Sequence, residues 1–293
     1  EKREPSYMPL AITLCMIGFF DSGLGGLTIL HEVAKQRPGS YLYLGDNARA
    51  PYGLRSVDEI RRFTIEGVTW LIEQGCSLVI LACNTASANA LRFLQQEWLP
   101  SHAPHVRVLG ILAPTVEAIT GVGWHEEGEG SHRPSIVVFA TPSTVASGAY
   151  EREITKRLPR ANIVMQACPD VVSLIEKTAP QETVMQAVHQ YVGEALSHMH
   201  TSPDTVLLGC THYALIEDLF RASLPSSVNI LSQPTIVAQA LQKYLERHAD
   251  TLTANTAHPS LRFATTGDST AVARASQRFF PEHVVYERAT LSD

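Results

Sequence analysis

Eight short apolar runs, spaced by segments of helical period, leave this chain few folds to choose from. The runs are Cys15–Phe20, Ser40–Leu44, Leu78–Ala82, Val106–Leu109, Ile136–Phe139, Asn162–Met165, Thr205–Leu208 and Ser227–Leu231. They are short and bounded by turn residues, which is the pattern of buried strands. The segments Gly26–Gln36, Val57–Gln74, Ala86–Glu97, Thr115–Thr120, Ser143–Arg157, Val171–Lys177, Gln181–Met199, Leu215–Ser223 and Pro234–His248 read as helices. Strand and helix in alternation specify an α/β architecture with a mostly parallel sheet. With 293 residues the chain has room for two such units, at about 100–200 residues each. Gly121–Ser135 and Asp250–Pro259 lack an apolar period and read as surface loops.

The alternation contains a weak internal repeat. One half reads IGFFDSG from Ile17 and then LVILACNT, with its cysteine at 83; the other reads IVVFATPST from Ile136 and then TVLLGCTH, with its cysteine at 210. Asp21 and Cys83 are 62 residues apart, Thr141 and Cys210 69. Each half thus has one strand ending in small polar residues and another ending in Cys followed by an amide or hydroxyl residue. Open α/β sheets bind ligands at the carboxyl ends of strands, so two facing halves would put both thiols on one cleft.

Cysteine usage agrees with a chemical role. The five cysteines (15, 76, 83, 168, 210) are odd in number, widely spaced and without C-x-x-C, which excludes a disulfide framework or zinc knuckle and points to a reducing, cytoplasmic compartment. Cys83 and Cys210 sit before Asn84-Thr85 and Thr211-His212. A free thiol of pKa about 8.5 is only slightly ionised at neutral pH, and Asp21, His212 or a helix N-terminus would raise its working fraction. Cys15 in the first strand, Cys76 in a helix-end turn and Cys168 before Pro169 read as structural.

Other chemistries lack their residues. Asp21-Ser22-Gly23-Leu24-Gly25-Gly26 is a glycine-rich strand-to-helix turn, yet Thr28 stands where a dinucleotide fingerprint needs its third glycine, and no Gly-Lys-Ser/Thr follows. The turn suits a carboxylate anion, or simply a helix capped by Asp21 or Ser22. Gly45–Gly53 is a second turn-rich loop over the same strand ends. Ser22 is not in G-x-S-x-G, and the histidines form no ligand set, so no metal is expected. A net charge of −6 without a basic stripe excludes a general nucleic-acid binder. The longest apolar run, Pro9–Phe20, is too short to span a bilayer; Lys2 and Arg3 precede it, but no cleavage site follows. Met8 and Met16 both stand as possible starts.

Four of these stretches together, FDSGLGGLTIL (20–30), YLGDNARAPYG (43–53), ACNTASA (82–88) and LGCTHY (208–213), resemble the glutamate racemase family, cofactor-independent members of the aspartate/glutamate racemase superfamily. TPSTVASGAY (141–150) and ACPDVVSLIE (167–176) add to a resemblance that runs from about Ile17 to His248. It implies two pseudo-symmetric α/β domains, 16–108 plus 231–293 and 109–230, with the active site in the cleft between them. It assigns Cys83 and Cys210 as the acid/base pair on opposite faces of the substrate α-carbon, Cys83 taking the proton from D-glutamate and Cys210 from L-glutamate. Asp21 is the implied assistant of the first thiol and His212 of the second. Ser22, Pro51, Tyr52, Gly53, Asn84, Thr85 and Thr211 are implied to hold the amino acid, with Thr144 near the substrate and Glu176 near its ammonium. No cofactor is implied. The expected partners are glutamate, a second copy of the chain in a homodimer, and a cell-wall precursor as activator; the implied role is D-glutamate supply for peptidoglycan.

The chain departs from the family pattern at Asn47 (Thr is usual), at Ala214 (Pro), at Ser232-Gln233, where Asp-Ser or Asp-Pro is expected, and in a longer Gly121–Ser135 loop. The chemistry also stands on the residues themselves: inverting a stereocentre by proton transfer needs one base and one acid on opposite faces, exchanging roles with direction. Two rivals stay open, an aspartate or hydantoin racemase of the same superfamily and an amino-acid-binding regulatory module with inert thiols.

Overall fold

The computed structural model describes residues 16–123, 133–249 and 259–291. Cys15, both loop segments for the most part and the start candidate Met8 lie outside the described residues. In chain order the elements are β1 (Met16–Asp21), α1 (Leu27–Gln36), β2 (Ser40–Gly45), α2 (Val57–Glu73), β3 (Cys76–Leu81), α3 (Asn84–Phe93), α4 (Leu99–His102), β4 (Arg107–Gly110), α5 (Leu112–Thr120), β5 (Ser135–Ala140), α6 (Pro142–Ala146), α7 (Ala149–Arg157), β6 (Asn162–Ala167), α8 (Val171–Glu176), α9 (Gln181–Ser197), β7 (Thr205–Leu208), α10 (Glu217–Ser223), β8 (Asn229–Leu231), α11 (Gln233–Arg247), β9 (Ser260–Thr265), α12 (Ser269–Ser276) and β10 (Tyr286–Arg288).

Two wholly parallel sheets result, β10-β9-β2-β1-β3-β4 and β6-β5-β7-β8. The central strands β1, β2, β3 and β5 are almost entirely buried, as expected where helices cover both faces of a parallel sheet. Counted within each sheet's first four strands, both have the order 2-1-3-4, so the sequence repeat corresponds to a repeated topology. Strand order reverses direction between β1 and β3 in one sheet and between β5 and β7 in the other. At such switch points the carboxyl ends of neighbouring strands splay apart and leave a crevice. Asp21 ends β1 and Cys83 follows β3; Thr141 follows β5 and Cys210 follows β7.

The chain crosses between the sheets twice, through α5 after β4 and at the β8–α11 junction, and then returns to the larger sheet. There β9 pairs with β2 and β10 with β9. Local chemistry starts several elements near the site. Ser56 accepts from the Glu59 N–H (3.3 Å) while the Glu59 carboxylate accepts from the Ser56 N–H (3.0 Å), a capping box that begins α2 directly after the 46–54 loop. Thr141 caps α6, with Pro142 in the first turn where a missing N–H is harmless.

Several expectations need correction. Ser143–Arg157 is two helices, broken at Gly148, whose φ of 61° is left-handed and ends the first one. Cys76 opens β3 instead of lying in a turn, because the turn closes one residue earlier, at Gly75. The helix expected over Ala86–Glu97 starts at Asn84 and runs on through a π turn, Leu94–Trp98, into α4. Ser135 belongs to β5 and not to the preceding loop. The elements β9, β10 and α12 were not expected at all. Among the described residues no helix is long and apolar enough to cross a membrane.

Candidate active site

The two switch points meet at a cavity of about 220 Å³, room for a small metabolite and little more. From the first half it is lined by Asp21, Ser22, Pro51, Tyr52, Gly53, Leu54, Cys83, Asn84 and Thr85. From the second come Thr141, Pro142, Pro169, Val172, Ser173, Cys210, Thr211 and His212. Eleven of the thirteen residues assigned from sequence therefore share one cavity wall; Thr144 and Glu176 stand just behind it.

Around Cys83 the polar groups form a chain. The Ser22 hydroxyl lies 3.4 Å from the Cys83 Sγ and 3.3 Å from the Asp21 Oδ1. Asp21 itself accepts from the backbone N–H of Ser22 (2.7 Å), from the N–H of Gly26, and from the Tyr43 hydroxyl (3.3 Å). Burial and then the negative charge of Asp21 push the Cys83 thiol up to about 12, with the Ser22 hydroxyl pulling the other way. Cys83 therefore holds its proton at neutral pH, and Asp21 is linked to it through Ser22.

Around Cys210 the neighbours differ in kind. His212 Nδ1 lies 3.9 Å from the Cys210 Sγ, and His212 Nε2 lies 2.8 Å from the Glu176 Oε1. Burial works against a charged ring, but the contacts with Cys210 and Glu176 outweigh it and push His212 up to about 10. Phe279 meets the ring edge-on at 5.3 Å between centroids and fixes its plane. Glu176 thus touches the imidazole without being part of the cavity wall.

The glycine-rich turn has a different use from the one its composition suggests. The anion its N–H groups hold is the chain's own Asp21 carboxylate. Gly25 serves close approach between the halves: a Cβ there would lie 2.3 Å from the Thr211 Oγ1 and 2.4 Å from the His212 Nδ1. Gly53 is pinned likewise, since a Cβ there would fall 2.7 Å from the Thr141 Cβ. Next to Gly53, the buried Tyr52 hydroxyl donates to Asp46, which also accepts from Arg49 (2.7 Å) and from the Thr266 hydroxyl (2.7 Å) beyond β9.

Hydroxyls bridge the halves. Thr85, Thr141 and Thr144 form a closed triangle with Oγ1–Oγ1 distances of 3.0, 3.3 and 3.0 Å. Thr141 was not singled out from sequence, although the repeat pairs it with Asp21. Pro142, Pro169, Val172 and Ser173 lie in the 141–150 and 167–176 stretches that resemble the family, though none stands out singly, and Leu54 carries no sequence signal of its own. Asn47, a departure from the family pattern, accepts from the Thr265 hydroxyl at 2.8 Å and so ties the site loop to β9. No disulfide joins the described cysteines, and Cys76 and Cys168 lie outside the cavity wall.

With this geometry in hand, the comparisons with known proteins are specific. The family model of Asp/Glu/hydantoin racemase matches residues 27–241. The chain belongs to the Asp/Glu/hydantoin racemase family. A glutamate racemase from Phenylobacterium zucineum is 40% identical over 284 residues, covering 93% of this chain and 99% of the relative. The crystal structure of a glutamate racemase isoform from Bacillus anthracis superposes with a TM-score of 0.81 at 30% identity, covering 94% of this chain and 98% of that one. A Francisella tularensis glutamate racemase, solved in complex with D-glutamate, gives 0.77 at 27% identity over 95% and 97% of the two chains. Family membership makes the protein an amino-acid racemase, an isomerase, on a two-sheet α/β fold.

Proposed function

We propose that this racemase interconverts L- and D-glutamate by two-base proton transfer between Cys83 and Cys210. The observation that carries the reading is two buried thiols at equivalent strand ends, one from each half, lining one small cavity. In one direction the Cys210 thiolate takes the α-proton of L-glutamate and becomes a thiol. Cys83 then delivers its own proton to the opposite face of the carbanion and is left as thiolate. The reverse reaction exchanges the roles, and solvent protons restore the starting state.

Each supporting residue has a task in that scheme. His212, charged and anchored by Glu176, stabilises Cys210 in its anionic form; Ser22 does so for Cys83 across from Asp21. Asn84, Thr85, Thr141 and Thr211 present donors to the substrate carboxylates, which the developing carbanion requires because an α-proton is very weakly acidic. Pro51, Tyr52 and Gly53 form the wall that excludes water. The two halves, 16–108 plus 231–293 and 109–230, act as the domains that close on the substrate. The D-glutamate produced is a building block for peptidoglycan, made in the reducing cytoplasm where the thiols stay free.

Protein incubated in D2O with L-glutamate tests the reading: deuterium should enter the α-carbon and both enantiomers should appear, ending at a one-to-one mixture. Racemisation of L-aspartate in preference to L-glutamate would replace the substrate; no α-exchange with either, by folded and reduced protein, would sink the enzyme reading.

A further inference from the structure

Gln233 stands where the family pattern has Ser or Pro, next to Ser232 in place of the expected Asp, and it has a role that its position in sequence does not announce. Its side chain is 1% exposed at the first turn of α11, directly behind Asn84. The Asn84 Nδ2 donates to the Gln233 Oε1 at 2.6 Å, and the Gln233 Nε2 lies 3.1 Å from the Asn84 Oδ1. The two amides are thus paired head to tail. The same Nε2 lies 2.9 Å from the Thr115 Oγ1 and 3.1 Å from the Tyr150 hydroxyl, and the Tyr150 hydroxyl donates to the Asn84 Oδ1 at 2.6 Å.

An amide can be turned either way round, so the direction of this network has to come from its protons. Thr115 spends its one hydroxyl proton on the Ile111 carbonyl, at 2.6 Å. It can therefore only accept from Gln233, which requires the Gln233 nitrogen on that side and its oxygen towards Asn84. The Gln233 oxygen in turn requires the Asn84 nitrogen opposite it, and the Asn84 oxygen is left to take the Tyr150 proton. The Asn84 Oδ1 is then filled from behind, one Nδ2 proton goes to the Gln233 Oε1, and the second Nδ2 proton is left over.

We infer that Gln233, with Tyr150 and Thr115, is a positioning residue that locks the Asn84 amide as a donor towards the cavity, dedicated to a carboxylate oxygen of the substrate. The inference rests on the proposed function, in which Asn84 holds the amino acid. The network draws on both chain crossings, Thr115 on α5 and Gln233 on α11, and on Tyr150 of α7 and Asn84 of α3. The orientation of a substrate-holding group is thus set at the place where the two halves are joined.

Steady-state kinetics of Gln233→Met, which keeps the volume and removes the hydrogen bonds, tests this. With Asn84 free to turn, KM for L- and D-glutamate should both rise about tenfold, with kcat changed less than threefold. A double-mutant cycle separates positioning from mere support: in an Asn84→Ala background the same substitution should change KM less than twofold. If its effect is as large there as in the unaltered protein, or if KM does not move, Gln233 does not act through Asn84 and the inference falls. Should Gln233→Met fail to fold, Tyr150→Phe removes one donor to the Asn84 Oδ1 at almost constant volume, and the same cycle decides. Failure of the unaltered protein to racemise glutamate is a different result, and overturns the function itself.

Discussion

Cys83 and Cys210 occupy the same position in two sheets of the same strand order and are equally buried, at 6% exposed each, yet their neighbours carry opposite charge. Cys83 faces the Asp21 carboxylate across the Ser22 hydroxyl; Cys210 faces an imidazole whose protonated form is favoured by its contacts with Cys210 and Glu176. Where the first half has Asp21 at the end of its leading strand, the second has Thr141. Topology therefore sets the placement of the two thiols, whereas the residues immediately after the strands set their acid–base character. A reaction whose ends are mirror images does not require mirror-image half-sites. Enantiomers have equal free energy in water, so kcat/KM must be the same in both directions whatever the asymmetry, which can surface only in kcat and KM separately.

Removing each thiol in turn tests this contrast most severely. Cys83→Ser and Cys210→Ser should each lower racemisation by about 10³-fold or more, the upper range for losing a general acid or base. Each should keep some α-proton exchange with one enantiomer only: L-glutamate for Cys83→Ser, D-glutamate for Cys210→Ser. Proton NMR in D2O reads both quantities, and exchange with the same enantiomer in both variants would mean the faces are misassigned.

The next effect belongs to His212. His212→Asn should lower kcat by about 10²-fold, and Glu176→Gln should shift the alkaline limb of the kcat profile to lower pH, since the ring then loses its anionic partner. Stability carries a matching signature. His212 binds its proton more tightly folded, at about 10, than unfolded, at about 6.5, so its stabilisation is complete below about 6.5 and is lost as pH rises through about 10. The difference in urea midpoint between wild type and His212→Asn should shrink across that window; a constant difference would mean the ring is neutral throughout.

A smaller effect is expected at Ser22. Ser22→Ala takes away the hydroxyl that offsets Asp21, so the Cys83 thiolate forms less readily and kcat should fall about tenfold for D-glutamate, more than for L-glutamate. Equal changes in both directions would show that Ser22 only fills space. Smallest of all, Cys76→Ser and Cys168→Ser lie outside the cavity wall and should keep kcat within about threefold, with any loss appearing in thermal unfolding instead.

How much of this was legible in the sequence follows from how local each signal is. Strands β1, β3, β5 and β7 are unbroken apolar runs because both their faces are covered, and the repeat they form was readable in order and in its cysteines. β9 escaped because its first three residues, Ser260, Leu261 and Arg262, are exposed, and β10 because it has only three residues. The thiols and their immediate neighbours are contiguous motifs. Gln233 reads only as half of the Ser232-Gln233 departure from an Asp-Ser or Asp-Pro pattern, since Asn84, Thr115 and Tyr150 reach it from three other helices. The first turn reads as a carboxylate cradle or a capped helix start, whereas the reason for Gly25 lies in Thr211 and His212, nearly two hundred residues away.

The return of the chain to its first sheet also fixes when the site can exist. β9 completes that sheet by pairing Ser40 with Ser260, and the Thr266 hydroxyl beyond it holds the Asp46 carboxylate to which Tyr52 donates. During synthesis the first β-α-β unit therefore emerges long before its neighbouring strand, and waits through the whole of the second half with that strand's edge unpaired. The wall of the cavity next to Gly53 gains this support only when β9 and Thr266 have left the ribosome, so a nascent chain already carrying both thiols is not yet a working site.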